Sequence, residues 1–160
     1  MPVEIRLATP DDYDDLYSAF ERIVMIGEGF PQVPPLSRRD FDDYWIDHSS
    51  AVVVARFDGL LIGGYYIKPN FVGKAAHIAN AGYFVLPPYR GNRVGLSLVE
   101  HSFEEARRHG FDALQFNLVF ESNPARALYQ KLGFKEIGRI PDAADGEDAL
   151  IYWRSLDPIP

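Results

Sequence analysis

Val85-Leu86-Pro87-Pro88-Tyr89-Arg90-Gly91-Asn92-Arg93-Val94-Gly95 joins two segments of different periodicity. Before it, His77 to Leu86 is a β-rich run that ends at Pro87-Pro88. After it, from about Arg93 to His109, apolar residues recur at helical spacing and stop at Gly110. Strand, Gly- and Arg-rich turn, helix is an arrangement in which a pyrophosphate can bind. N–H groups at a helix start lack partners and carry partial positive charge, and Gly91 and Gly95 have no Cβ to block close approach. Arg90 and Arg93 can add charged hydrogen bonds, and Asn92 and Val94 complete the turn. By spacing alone, an ordinary strand-to-helix connection explains the stretch equally well.

Working outward, a first strand at Glu4 to Ala8 meets Thr9-Pro10-Asp11-Asp12, a cap, a first helical proline and an acid at the third position. The helix that follows places Tyr13, Leu16, Tyr17, Phe20, Ile23 and Val24 at helical spacing. Gly27 to Leu36 reads as a loop and a candidate substrate lid, followed by a short helix capped by Ser37. Ala51 to Phe57 and Leu60 to Lys68 flank Asp58-Gly59, a tight-hairpin dipeptide. Beyond the turn come a strand at Ala113 to Phe120, Asn123-Pro124 as cap and first position of a helix through Leu132, and Gly133 as its stop. Strands at Phe134 to Ile140 and Asp148 to Ser155 follow, linked by the acidic piece Pro141 to Glu147. This order mixes antiparallel pairing with crossover units, so an α/β domain with a mixed sheet is expected over residues 1–156, with 157–160 as a tail.

The second decisive stretch is Asn123-Pro-Ala-Arg-Ala-Leu-Tyr129-Gln-Lys-Leu-Gly133-Phe134. At this spacing after the turn, it resembles the second signature of the GCN5-related N-acetyltransferases, and the turn resembles their acetyl-CoA motif. The two motifs and their strands cover about the second half of the chain. The resemblance implies a sheet that splays between the strand ending at Val85 and the strand Ala113 to Phe120, with pantetheine in the gap. It implies acetyl-CoA as cosubstrate and no metal. It points to backbone N–H groups near Phe84 and Val85 as oxyanion donors, on a strand bulged at Gly82. Tyr129 matches the tyrosine that protonates the departing thiolate, and Asn123 a cap that also contacts pantetheine. The sequence departs from the pattern at Arg93, where the first of two glycines is usual.

Tyr66-Ile-Lys-Pro-Asn70-Phe, His77-Ile-Ala-Asn80-Ala-Gly-Tyr83 and Leu114-Gln-Phe-Asn117-Leu-Val-Phe120 look like the branch that contains fungal enzymes acting on azetidine-2-carboxylate. In that branch the positions matching Asn80, Tyr83 and Asn117 line the acceptor pocket. The resemblance implies Asn80 on a substrate carboxylate and Asn117 orienting the amine or a proton-accepting water. A pair of asparagines tying neighbouring strands together is an equal reading. Strict alternation separates Asn80 from Tyr83, and a bulge at Gly82 would reunite them. Glu121, His77 and Glu28 are the titratable candidates for a general base.

Composition narrows the classes. Hydrophobic residues make up 47% and charged residues 24%, an ordinary globular balance. There is no cysteine, which excludes disulfides and thiolate chemistry. The net charge of −7 comes from residues 1–50, with 11 acidic and 4 basic side chains, and argues against nucleic-acid binding. Met-Pro-Val-Glu-Ile-Arg lacks the apolar core of a signal peptide, and no stretch suits a membrane span, so a cytoplasmic protein is expected. The partner expected is a small amine or an amino or imino acid. A homodimer is compatible with the sequence. Competing readings are a non-catalytic acyl-CoA-binding module and a protein N-terminal or lysine acetyltransferase.

Overall fold

A computed structural model describes residues 1–157 of the chain. Its strands are β1 (Glu4–Leu7), β2 (Ala51–Phe57), β3 (Leu60–Pro69), β4 (Ile78–Val85), β5 (Ala113–Phe120), β6 (Lys135–Ala144) and β7 (Glu147–Ser155). The α-helices are α1 (Tyr13–Ile26), α2 (Arg38–Phe41, running on as a π-helical stretch Asp42–Asp47), α3 (Val94–Arg108) and α4 (Arg126–Lys131). The strands form one sheet in the order β1-β2-β3-β4-β5-β7-β6. Every pairing is antiparallel except β4 with β5, which are parallel and pair only at Ile78, Ala79 and Asn80 with Ala113, Leu114 and Gln115. Beyond those three pairs the two strands part.

Alternation along the central strands builds a core on each face of the sheet. Val53, Ala55, Tyr65, Ile67 and Ala81 pack with Leu98, Val99 and Ala106 of α3. Val54, Tyr66 and Phe84 pack with Leu16, Phe20 and Ile23 of α1 and with Phe41 and Trp45. The chain enters α1 through a 3-10 turn, Pro10–Asp12, rather than directly. There Asp12 accepts from the Thr9 N–H at 2.8 Å, from Arg6 at 2.7 and 3.0 Å and from Arg56 at 2.9 Å. Its side chain is 3% exposed, and the Arg6 hydrogen bonds hold the carboxyl well below the usual range.

The hairpin at Asp58-Gly59 and the Ser37 cap, whose Oγ accepts from the Asp40 N–H at 3.0 Å, are as expected. Three expectations are corrected. The helix after Asn123 begins only at Arg126, because Asn123 Oδ1 accepts from the Ala125 N–H at 2.9 Å and fixes a tight turn first. Pro141 to Ala144 is strand rather than linker. The edge strand absorbs Pro141, which has no N–H, in a register shift between Ile140 and Ala144, and the chain reverses at Asp145-Gly146. Nor is there a bulge at Gly82: the β3 to β4 register is unbroken, and Tyr66 lies so close over Gly82 that a Cβ there would be 2.6 Å from its hydroxyl. The tail expected at 157–160 lies, after Asp157, outside the described residues.

Candidate active site

After β4 the chain makes a 3-10 turn, Pro87–Tyr89, and Asn92 Nδ2 donates back to the Tyr89 carbonyl at 3.2 Å. Arg93 then caps α3 in the left-handed conformation, φ 62° and ψ 16°. This explains why glycine is usual there, and shows that arginine fits the same backbone. The first helical hydrogen bond runs from the Ser97 N–H to the Arg93 carbonyl. Among the described residues, none of the N–H groups from Gly91 to Leu96 has an acceptor. Six consecutive free donors at the start of a 15-residue helix make an anion cradle. Gly95 belongs to it. A Cβ built there meets no protein atom closer than Val85 Cγ2 at 4.0 Å, so the protein's own packing does not demand a glycine.

The two arginines differ in state. Arg90 is already engaged: its Nε donates to the Val85 carbonyl at 2.9 Å and its Nη1 to Glu28 at 2.7 Å, tying the Gly27 to Leu36 loop to the turn. Arg93 is exposed and has no ion pair among the described residues.

The gap between β4 and β5 opens just before this turn. Hydrogen bonds from Leu86 N–H to Ile62 O and from Asn70 N–H to Ile78 O bracket the β3 to β4 ladder at even-numbered residues. Antiparallel alternation therefore commits the Phe84 N–H to β3 and turns those of Tyr83 and Val85 toward β5, which has already diverged. The Arg90 bond to the Val85 carbonyl agrees, since that carbonyl also faces away from β3. Of the two oxyanion donors named from the sequence, Val85 faces the gap and Phe84 does not, because without a bulge the ladder keeps its parity. Tyr83 takes the second place.

A cavity of about 970 Å³ fills the gap, within the size range of small-molecule sites. The turn lines it with Arg90, Gly91, Arg93, Val94 and Gly95. Opposite stand Asn123 and Tyr129, while Tyr83, Phe84 and Val85 form the β4 wall. Tyr129 is 8% exposed, and burial pushes its hydroxyl pKa up, so it stays a protonated donor at neutral pH. Its hydroxyl has no partner among the described residues. The Tyr83 hydroxyl is instead bonded to Ser102 Oγ at 2.6 Å, on the α3 side. The cavity, the free N–H run and the bare Gly95 fit a nucleotide-bearing thioester such as acetyl-CoA.

Asn80 and Asn117 fall outside the cavity lining. Asn80 Nδ2 donates to the Gln115 carbonyl at 3.0 Å, across the last β4 to β5 pair. Asn117 exchanges hydrogen bonds with Asn70 at 2.6 and 3.1 Å and accepts from Gln115 at 3.1 Å. The structure brings the two asparagines together on the α1 and α2 face, through Gln115, at the closed end of the gap. Tyr83 stays on the opposite face. Among the candidate bases, His77 sits at the far end of β4 with Asp112, and Glu121 is held by Arg139 outside the lining. Only Glu28 lines the cavity. Gln32 also lines it, from the Gly27 to Leu36 loop read as a candidate lid, and so do Asp145 and Glu147, which carried no sequence signal because they come from a piece read as a linker.

The family model described as acetyltransferase (GNAT) family matches residues 13–134. A GCN5-related N-acetyltransferase structure from Kribbella flavida superposes with a TM-score of 0.87 at 32% identity, covering 96% of this chain and 97% of the other. N-acetyltransferase aca1 of Schizosaccharomyces pombe is 40% identical over 84 residues, 52% of this chain but only 40% of that protein's length. An aminoalkylphosphonate N-acetyltransferase of Salmonella typhimurium is 25% identical over 144 residues, 85% of this chain and 88% of its own. Among the described residues no helix is long and apolar enough to cross a membrane.

Proposed function

The chain belongs to the acetyltransferase (GNAT) family, and from that premise we propose that it transfers the acetyl group of acetyl-CoA to the amine of a small acceptor. The observation that carries this reading is the run of free N–H groups from Gly91 to Leu96, opening on a cavity that also holds an unpartnered, protonated Tyr129. Acetyl-CoA supplies the activated thioester. The chain's own residues do the rest. The cradle fixes the pyrophosphate, and Arg93 adds a charge to it. The Val85 and Tyr83 N–H groups lie where negative charge grows on the carbonyl oxygen, and fixed donors in a cavity stabilise such charge at no cost of reorganisation. Tyr129 donates a proton toward the leaving sulfur.

For the acceptor we take an amino or imino acid of the proline-analogue kind. Asn80, Gln115 and Asn117 support this, as neutral amides gathered where β4 and β5 part. Asn117 would orient the nitrogen and Asn80 the acid. A screen of amines and imino acids, read as CoA thiol released above the amine-free rate, tests the proposal. Amine-dependent release is expected. Tight CoA binding without any such release would mean a non-catalytic module, and release only with peptides would mean a protein acetyltransferase.

A further inference from the structure

We infer that Lys68 holds the acid group of the acceptor proposed above, and so selects amines that carry a carboxylate over their decarboxylated analogues. The inference rests on the acetyltransferase reading and adds to it a residue and a reason for selection. In the β3 to β4 register Lys68 stands opposite Asn80, and in the β4 to β5 register Asn80 stands beside Gln115. Registered neighbours project to the same face, so the three form one row across the sheet. The row lies on the last pairs before the strands part.

Lys68 is built into this place. It is half-buried, with Nζ 4.3 Å from the ring centroids of both Tyr44 and Tyr66, and it donates to the Tyr44 carbonyl at 2.6 Å. An ammonium has three donors, and that bond uses one. Among the described residues no carboxylate lies within ion-pair distance of it, and the nearby Asp43 bonds His48 at 3.2 Å instead. Burial pushes the Lys68 pKa down, as expected of a charge the protein leaves without a counter-ion. Asn80, Gln115, Asn117 and Asn70 beside it are all neutral. A ligand anion would therefore complete the row, and a carboxylate offers oxygens to the ammonium and to the amides together.

The spacing suits an α-amino or imino acid. Asn80 and Tyr83 are three residues apart, about 10 Å along a strand. A carbonyl on the Tyr83 N–H, the attacking nitrogen and an acid one carbon away, with a hydrogen bond of about 3 Å at each end, span roughly that length.

The test compares acceptors in pairs, azetidine-2-carboxylate with azetidine and proline with pyrrolidine, on the wild type and on Lys68→Met and Lys68→Arg. Methionine keeps the stem between the two tyrosines and removes the charge. Lys68→Met should raise KM for the acids by about 10 to 100-fold, the worth of one charged hydrogen bond, with kcat and the decarboxylated amines little changed. Lys68→Arg should recover most of the loss. Equal losses on both members of each pair would overturn the inference. So would a wild type that uses the free amines as well as the acids, a comparison that needs no variant to fold. No amine-dependent thiol release with any compound would instead sink the acetyltransferase reading itself.

Discussion

Replacing Gly95 by valine separates the ligand's needs from the protein's. The Cβ of a residue at 95 would meet only Val85 Cγ2, at 4.0 Å, and the backbone there is ordinary helix. Valine is a better helix former than glycine by a few tenths of a kcal/mol, so the variant should unfold at the same temperature as the wild type or slightly above. The same side chain would occupy the cavity in the first turn of α3, in front of the free N–H groups. Losing two charge-assisted hydrogen bonds to a pyrophosphate, at the low end of about 1.5 kcal/mol each, amounts to about 3 kcal/mol. That corresponds to roughly 100-fold weaker binding. Calorimetric titration with CoA, beside a thermal melt, measures both halves. Unchanged affinity in a folded Gly95→Val protein would refute the placement of the pyrophosphate.

Other consequences are equally open to measurement. Tyr129→Phe should lower kcat by about 10 to 100-fold while CoA affinity holds, since a thiolate leaves fairly well unaided; wild-type kcat at every pH would remove Tyr129 from the chemistry. Arg93→Gly relieves a left-handed conformation worth about 1–2 kcal/mol, partly offset by about 0.4–1 kcal/mol of added freedom in the unfolded chain. The melting temperature should rise by roughly 1–4 °C, and a fall would contradict the strain. Asp12→Asn strands Arg6 and Arg56 and should cost about 2–4 kcal/mol in urea denaturation, below the full value for a buried pair because Arg6 is 37% exposed. Because the folded carboxyl is held below its unfolded value of about 4, its contribution is complete above that pH and is lost progressively as pH falls from there toward the much lower folded value. The gap between wild type and variant should therefore narrow in acid, and a gap constant down to pH 2 would assign the loss to packing.

The parts that the sequence made legible were those in which one residue type has one local use. Asp58-Gly59 turned a hairpin, Ser37 capped its helix, and the Gly- and Arg-rich turn led from strand to helix. The parts misread were decided by neighbours that local pattern does not contain. Asn123 has the chemistry of a helix cap and spends it on a turn two residues earlier. Gly82 suggested a bulge, yet it is small because the ring of Tyr66, from the adjacent strand, lies on it. The resemblance named Phe84 and Val85 together as N–H donors, which the bulge would have allowed; with the register unbroken, ladder parity turns only one of the two toward the gap. The part of the cavity wall made by Asp145 and Glu147 was invisible for a related reason: the sheet brings it beside a lid loop more than a hundred residues earlier in the chain.

Among the described residues, the three residue pairs between β4 and β5, with the bond from the Asp112 N–H to the His77 carbonyl just before them, are also a short backbone seam between two blocks that are each continuous in the chain, β1 to β4 and β5 to β7. Each block is an antiparallel unit with its own ladder, whereas the seam is parallel and depends on the α3 crossover to bring its strands alongside. Parallel pairing of distant segments closes late, after local ladders have formed. The active site would then be the last part of the molecule to assemble, and the first to loosen when the halves separate. Opening such a seam breaks few backbone hydrogen bonds and leaves both ladders intact. What joins the two blocks beyond that seam is side-chain packing, a core on the α3 face shared by Tyr65 and Ala81 on one side and Leu114, Phe116 and Tyr152 on the other.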